Sequence, residues 1–232
     1  MATRAIQSHY TESELPLYQM DVDTYHRLIE AGALEGVEVE LLDGLLINKW
    51  PHREDAVHRF DVGTFERLVA TGEFDEQPIE LLEGLLVEVS PQGAEHARVL
   101  TRLTAYLASA PARLGVQIPL EVEWGSLPEP DLTLTAGEPP PGCHPRTAML
   151  AVEVAVSSQE RDRGTKAYMY ARAAVPLYWL VDVPAKTVEV RSDPGPQGYA
   201  RCEIYRPGTR VPSPAEGVAD LDVAALFEGV GD

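Results

Sequence analysis

Leu150-Ala151-Val152-Glu153-Val154-Ala155-Val156-Ser157-Ser158 is the stretch from which the fold can be read. Successive side chains of a strand point to opposite faces. Leu150, Val152, Val154 and Val156 therefore share one face, and Ala151, Glu153 and Ala155 share the other. The run reads as a buried strand, and its one acid sits between two small residues that leave room for an ion. An ionised carboxyl buried there alone is costly, so a metal, another cation or a proton has to compensate it.

Upstream, Pro128-Glu129-Pro130 breaks the chain and delivers Asp131-Leu132-Thr133-Leu134-Thr135. The two leucines face one way, and Asp131 opens a polar face with Thr133 and Thr135. A Pro/Gly-rich loop, Gly137–Arg146, separates this segment from the acid-bearing strand. Downstream, Glu160–Ala174 reads as a helix that Pro176 stops, with Asp162 placed to help its N-terminus or to pair with Lys166 four residues on. Tyr178–Val183 reads as a buried strand whose Tyr178 and Trp179 belong to the core. Two more strands, Lys186–Ser192 and Tyr199–Tyr205, and a closing helix over Ala219–Gly229 complete the domain. Strands alternating with helices in this way predict an α/β domain. Nearer the N-terminus, Val99, Leu100, Leu103 and Leu107 form the stripe of an amphipathic helix expected to end at Gly115, with a strand over Val116–Val122 after it.

The first third of the chain contains a repeat. Met20–Pro51 aligns without gaps to Phe60–Pro91 at a constant offset of 40, and Asp21/Asp61, Thr24/Thr64, Arg27/Arg67, Leu28/Leu68, Glu40/Glu80 and Gly44/Gly84 are identical pairs. Each copy predicts a short amphipathic helix stopped by Gly32 or Gly72, followed by a hairpin turning at Asp43-Gly44 or Glu83-Gly84. Two copies are too few for a solenoid, so this is a duplication of one helix–hairpin unit. The extra copy either pads the sheet edge or mediates a homodimer or covers the site. His52–Arg59 leads directly from the first copy into the second and adds no chemistry.

Composition narrows the function classes. At 232 residues, with 44% hydrophobic and 24% charged residues, the chain has ordinary globular usage and room for one large domain plus an appendage. No apolar run is long enough to span a bilayer, and the first residues lack a signal peptide's apolar core. A soluble, cytoplasmic protein without membrane association is expected. Cys143 and Cys202 belong to no Cys/His cluster, which argues against zinc and against a disulfide framework. A net charge of −18 repels nucleic acid at long range. The local exception is the basic cluster Arg161, Arg163, Lys166 and Arg172, which could meet a phosphate. No Walker loop or Gly-x-Gly-x-x-Gly follows a strand, so a nucleotide-handling enzyme lacks support.

Taken in order, Ile79–Gly84, Ser90-Pro91 with His96, Pro130-Asp131, Val152-Glu153-Val154, Asp162–Lys166 and Pro176–Asp182 resemble an uncharacterised bacterial restriction-endonuclease family of the PD-(D/E)XK nuclease superfamily, over about residues 61–227. The resemblance implies a restriction-endonuclease-like mixed sheet flanked by helices over residues 57–232, preceded by a partial duplicate over residues 1–56. It also implies a Mg²⁺- or Mn²⁺-dependent nuclease acting on DNA, bound weakly given the acidic charge. Asp131, Glu153 and the Val154 carbonyl would hold the metal, and Glu80 would add a further catalytic acid. His96 would stand at the edge of the site and contact substrate, and from the basic cluster noted above Arg161 and Arg163 are expected to do the same. The superfamily places its lysine two residues after the strand acid, where this chain has Ala155, so Lys166 would have to reach back from the next helix. A catalytically inactive nuclease fold serving as a binding or assembly module is the competing expectation.

Overall fold

The computed structural model describes residues 15–49, 57–89, 92–122 and 125–231. Ser90, Pro91 and Pro51 lie outside these residues, as do the initial stretch and most of the connection between the repeats.

Each repeat opens on an aspartate that caps a helix. Asp21 caps α1 (Val22–Glu30) and Asp61 caps α2 (Val62–Val69). In both, one carboxylate oxygen accepts the threonine N–H three residues on, at 2.8 and 2.9 Å, and the other accepts that threonine's hydroxyl at 2.8 Å. This satisfies donors that a helix start otherwise leaves orphaned. The hairpins β1 (Val39–Leu42)–β2 (Leu45–Asn48) and β3 (Ile79–Leu82)–β4 (Leu85–Glu88) follow. Asp43 and Gly44 have φ of 47° and 79°, and Glu83 and Gly84 have φ of 51° and 80°. Positive φ at both central residues is what a type I′ turn requires.

The main sheet has six strands in the order β10-β9-β8-β7-β6-β5. In chain order these are β5 (Arg113–Val116), β6 (Leu132–Thr135), β7 (Leu150–Ala155), β8 (Leu177–Asp182), β9 (Thr187–Gly195) and β10 (Gly198–Tyr205). Only β7 and β8 run parallel. Their crossover is helical, as a parallel pair requires: α4 (Gln159–Arg161) passes through a π-helical turn (Asp162–Lys166) into α5 (Ala167–Arg172).

The two faces of β7 divide as its alternation predicts. Leu150, Val152 and Val154 pack with Leu132, Leu134, Trp179 and Val181 beneath α3 (Ala94–Leu107) and the C-terminal α6 (Val223–Leu226). Ala151 and Ala155 pack with Tyr178 and Leu180 of β8, with Met169 and Tyr170 of the crossover and with Leu82, Leu85 and Val87 of the second hairpin. A short pair, β11 (Arg210–Val211) and β12 (Leu221–Asp222), leads into α6. No helix among the described residues is long and apolar enough to cross a membrane. Both cysteines are free and exposed.

Three expectations need correction. The closing helix expected over Ala219–Gly229 is confined to Val223–Leu226, because Leu221 and Asp222 pair with β11 and Asp222 then caps the helix. Helix α3 ends at Leu107, not at Gly115, because Pro111 cannot continue a helix and biases the residue before it away from helical geometry. Gly115 instead lies in β5, where an added Cβ would sit 2.5 Å from the Thr133 hydroxyl. The strand expected over Val116–Val122 has already ended at Val116. Gln117, with φ of 50°, turns the chain out, and Pro119 has no N–H for a ladder.

Candidate active site

The β6–β7 pairing sets Leu132 opposite Val152 and Thr133 opposite Ala151. Carried one step further, this register sets Asp131 opposite Glu153. Directly opposed residues point to the same side of a sheet, so the two acids share a face. The site lies at that end of the sheet, in a half-open pocket of about 60 Å³. A single water needs only roughly 10–15 Å³. Glu80, His96, Asp131, Glu153, Val154, Arg161 and Lys166 all border it, together with Glu129 and Ser158.

Asp131 is held from two sides. Its Oδ2 accepts the Val154 N–H at 2.8 Å, and its Oδ1 lies 3.0 Å from His96 Nε2. His96 is buried on the first turn of α3, and its Nδ1 has no hydrogen-bond partner among the described residues. The histidine is therefore in direct contact with the acid.

Lys166 is only 2% exposed. Its ammonium donates to Glu153 Oε1 at 3.0 Å and to Glu80 Oε1 at 2.9 Å. The expected helical pairing with Asp162 is not the arrangement found. Asp162 is buried and accepts the Ser158 hydroxyl at 2.5 Å. The π-helical turn spans Asp162 to Lys166, and the Tyr178 hydroxyl donates to its first carbonyl, that of Asp162, at 2.9 Å. Such turns insert extra backbone into a helix, often at functional sites, and here the turn delivers the lysine inward.

Tyr170 is a site residue that the sequence did not single out. Its buried hydroxyl donates to Glu153 Oε1 at 2.7 Å. It follows Lys166 by four residues, on the same helix face, which was the available signal. Glu80 accepts the Glu129 N–H at 3.1 Å through Oε1, while its Oε2 is buried with no partner among the described residues. Its repeat-mate Glu40 is exposed.

The two arginines part company. Arg161 borders the pocket and donates to the Glu88 carbonyl at 3.1 Å. Arg163 is not among the pocket residues. Its guanidinium bridges Asp182 and Glu189, both at 2.6 Å, and ties the crossover to β8 and β9. The fold therefore does not bring Arg163 to the pocket with the other expected site residues.

Glu80, Glu129, Asp131 and Glu153 line the pocket with Lys166 and Arg161, and the buried Asp162 lies close to both cations. Burial opposes the charge on Lys166, but Glu153, Glu80 and Asp162 outweigh it and hold the amine protonated above its ordinary range. Burial pushes Glu153 well above the usual carboxylate range; Lys166 pulls it back, and Asp162, Asp131 and Glu80 push it further up. Asp162 is raised too, chiefly by burial, against the pull of Lys166 and Arg161. The pocket thus brings together more acidic groups than cations, with burial favouring the protonated form of Glu153. Among the described residues no three His, Cys, Asp or Glu side chains stand as a ready-made metal cage. Mg²⁺ does not need one, since it is commonly held by one or two carboxylates and keeps several waters. The unpartnered Glu80 oxygen, the facing Asp131–Glu153 pair and the excess of acids are hard oxygen donors of the kind such a cation takes.

Residues 62–224 match the model of a family named Uma2 and described as "Putative restriction endonuclease". The chain belongs to that family. The match spans the candidate site from Glu80 to Lys166 and all six strands of the main sheet. A solved structure from Anabaena variabilis ATCC 29413, titled a putative nuclease belonging to DUF820, has a similar fold, with a TM-score of 0.53 at 20% identity. The similarity covers 68% of this chain and 96% of that one. No curated protein matches the chain.

Proposed function

We propose that the protein is a Mg²⁺- or Mn²⁺-dependent nuclease that hydrolyses phosphodiester bonds in DNA. The observation that carries this reading is the facing of Asp131 and Glu153 in a pocket shared with a buried ammonium, in a chain of the restriction-endonuclease family. Asp131, Glu153 and the Val154 carbonyl would hold the cation. When bound, such an ion polarises a scissile phosphate and makes an adjacent water a stronger nucleophile at neutral pH.

The remaining work falls to side chains. Lys166, fixed by Glu80 and Glu153, offers positive charge where the phosphate gains negative charge, and a preorganised donor of this kind costs no reorganisation during reaction. Tyr170 and Lys166 both bind Oε1 of Glu153 and so leave Oε2 for a ligand. His96 and the Val154 N–H fix the Asp131 carboxylate. Arg161, at the pocket border, suits a phosphate oxygen. With a net charge of −18, DNA affinity rests on these few cations and is weak, and its salt dependence is shallow, with a slope of about −0.9 for each phosphate neutralised.

The test is cleavage of plasmid and oligonucleotide DNA by the purified full chain with Mg²⁺, Mn²⁺ or EDTA. Metal-dependent cleavage that disappears in Asp131→Asn and Glu153→Gln supports the reading; cleavage that persists in both ends it. One observation favours a second reading, that of a binding module on an inactive nuclease fold: the Lys166 ammonium already occupies a cationic position between two of the acids. Absence of cleavage, together with no metal-linked rise in Tm, selects that reading.

A further inference from the structure

The two helix–hairpin units contact each other reciprocally. Leu17, ahead of α1, bridges Val87 of the second hairpin, and Val57, ahead of α2, bridges Ile47 of the first; both bridges are antiparallel. The offset of 40 converts one bridge into the other: 17 becomes 57, and 87 becomes 47. The flanking hydrogen bonds obey the same exchange, with Tyr18 N–H to the Leu86 carbonyl at 2.9 Å and His58 N–H to the Leu46 carbonyl at 2.8 Å. One apolar core joins Leu28, Val39 and Leu46 to their mates Leu68, Ile79 and Leu86. The small cavity between the units is bordered by the same kind of pairs, including Leu17 with Val57 and Tyr18 with His58.

Contacts in which residue i of one copy meets residue j of the other, and the reverse, define an isologous two-fold interface. Here both halves of the interface belong to one chain. We infer that the first unit acts as a covalently attached second subunit: the outer edge of β4 is a docking surface for a copy of the same helix–hairpin unit, and the first unit fills it in cis. The family match begins at residue 62, the start of α2, and leaves the first unit outside. The halves are not equivalent in chemistry, because Glu80 is buried on Lys166 while Glu40 is exposed. The product is a pseudo-dimer with one acidic site. Because both β2 and β4 are already paired at their outer edges, a second chain has no open strand at this face. The inference stands whether or not the site cuts DNA.

Leu17 and Val87 are flanked by the bonds from Tyr18 N–H to the Leu86 carbonyl and from Glu88 N–H to the Pro16 carbonyl. They are therefore a non-hydrogen-bonded antiparallel pair, with Cα atoms about 4.5 Å apart, within the span of a disulfide. The experiment introduces Leu17→Cys and Val87→Cys in the full chain with Cys143→Ser and Cys202→Ser, oxidises it, and maps the bond by mass spectrometry after a non-reducing gel. The inference expects an internal 17–87 bond at the single-chain mass of 25.4 kDa. A disulfide-linked dimer, which would mean the unit docks on another chain, or no bond at all, overturns it. Ile47→Cys with Val57→Cys tests the other half should Val87→Cys fail to fold. Leu46→Arg, which undocks the first unit, is expected to turn a monomer into a concentration-dependent dimer by light scattering as freed β4 edges pair; a folded variant that stays monomeric overturns the docking surface.

Discussion

Lys166→Met isolates the central interaction of the site. It keeps most of the side-chain volume and removes the ammonium that Glu80 and Glu153 share. Removing one partner of a buried ion pair leaves uncompensated charge and costs about 3–5 kcal/mol. A chain of this size loses about 2–4 °C of Tm per kcal/mol, so the variant should melt roughly 6–20 °C below the parent at neutral pH. The deficit should depend on pH. Without the ammonium, Glu153 loses the neighbour that pulls its pKa down, and its native pKa rises further above the unfolded value of about 4.3. Between those two values the native state binds more protons than the unfolded state, so the variant regains stability as pH falls through that window. In the parent, the raised pKa of Lys166 supplies stability that is complete below about pH 10.4 and is lost only as pH climbs through the native value. Differential scanning calorimetry at about pH 8 and about pH 5.5 measures both effects. A variant within about 2 °C of the parent at both pH values would show that the ammonium does not support these carboxylates.

Tyr170→Phe deletes only the hydroxyl on Glu153 Oε1. A hydrogen bond to a charged group is worth about 1.5–3 kcal/mol, so Tm should drop by several degrees and metal-dependent cleavage should fall; parental values for both would mean the hydroxyl is idle. Arg161→Ala should weaken DNA binding and lower the salt slope by about one, whereas Arg163→Ala, which unties β8 and β9 from the crossover, should lower Tm and leave DNA affinity near the parent's. Fluorescence anisotropy across a salt series separates them, and equal losses of affinity would contradict the placement of Arg163. Mn²⁺ at tenfold its Kd should stabilise the parent by about 1.4 kcal/mol but not Glu153→Gln; an equal shift in both would put the ion elsewhere.

Much of the scaffold was legible because it is local. The alternation in Leu150–Ala155 predicts a two-faced buried strand with Glu153 alone among small residues, and the two cores packed on β7 divide along that alternation. The Asp-x-x-Thr starts and the Asp-Gly and Glu-Gly turns predict the helix–hairpin units, because caps and type I′ turns are decided within four residues. The early end of α3 was available in Pro111, which outweighed the apolar stripe and Gly115.

The site itself needed the tertiary structure. Glu40 and Glu80 stand in matching sequence contexts, yet one is exposed and the other is buried against Lys166, eighty-six residues further on. Lys166 read equally well as a solvated partner of Asp162, and the π-helical turn that carries it inward leaves no periodic signature. Tyr170 on Glu153, His96 on Asp131 and the reciprocal bridging of the repeats likewise join segments distant in the chain. Residue order alone determines caps, turns and which residues share a strand face, since those depend on neighbours a few positions away. Which charges end up sharing a dry pocket depends on how the helix–hairpin units, the crossover and the sheet pack, and local spacing does not encode that packing.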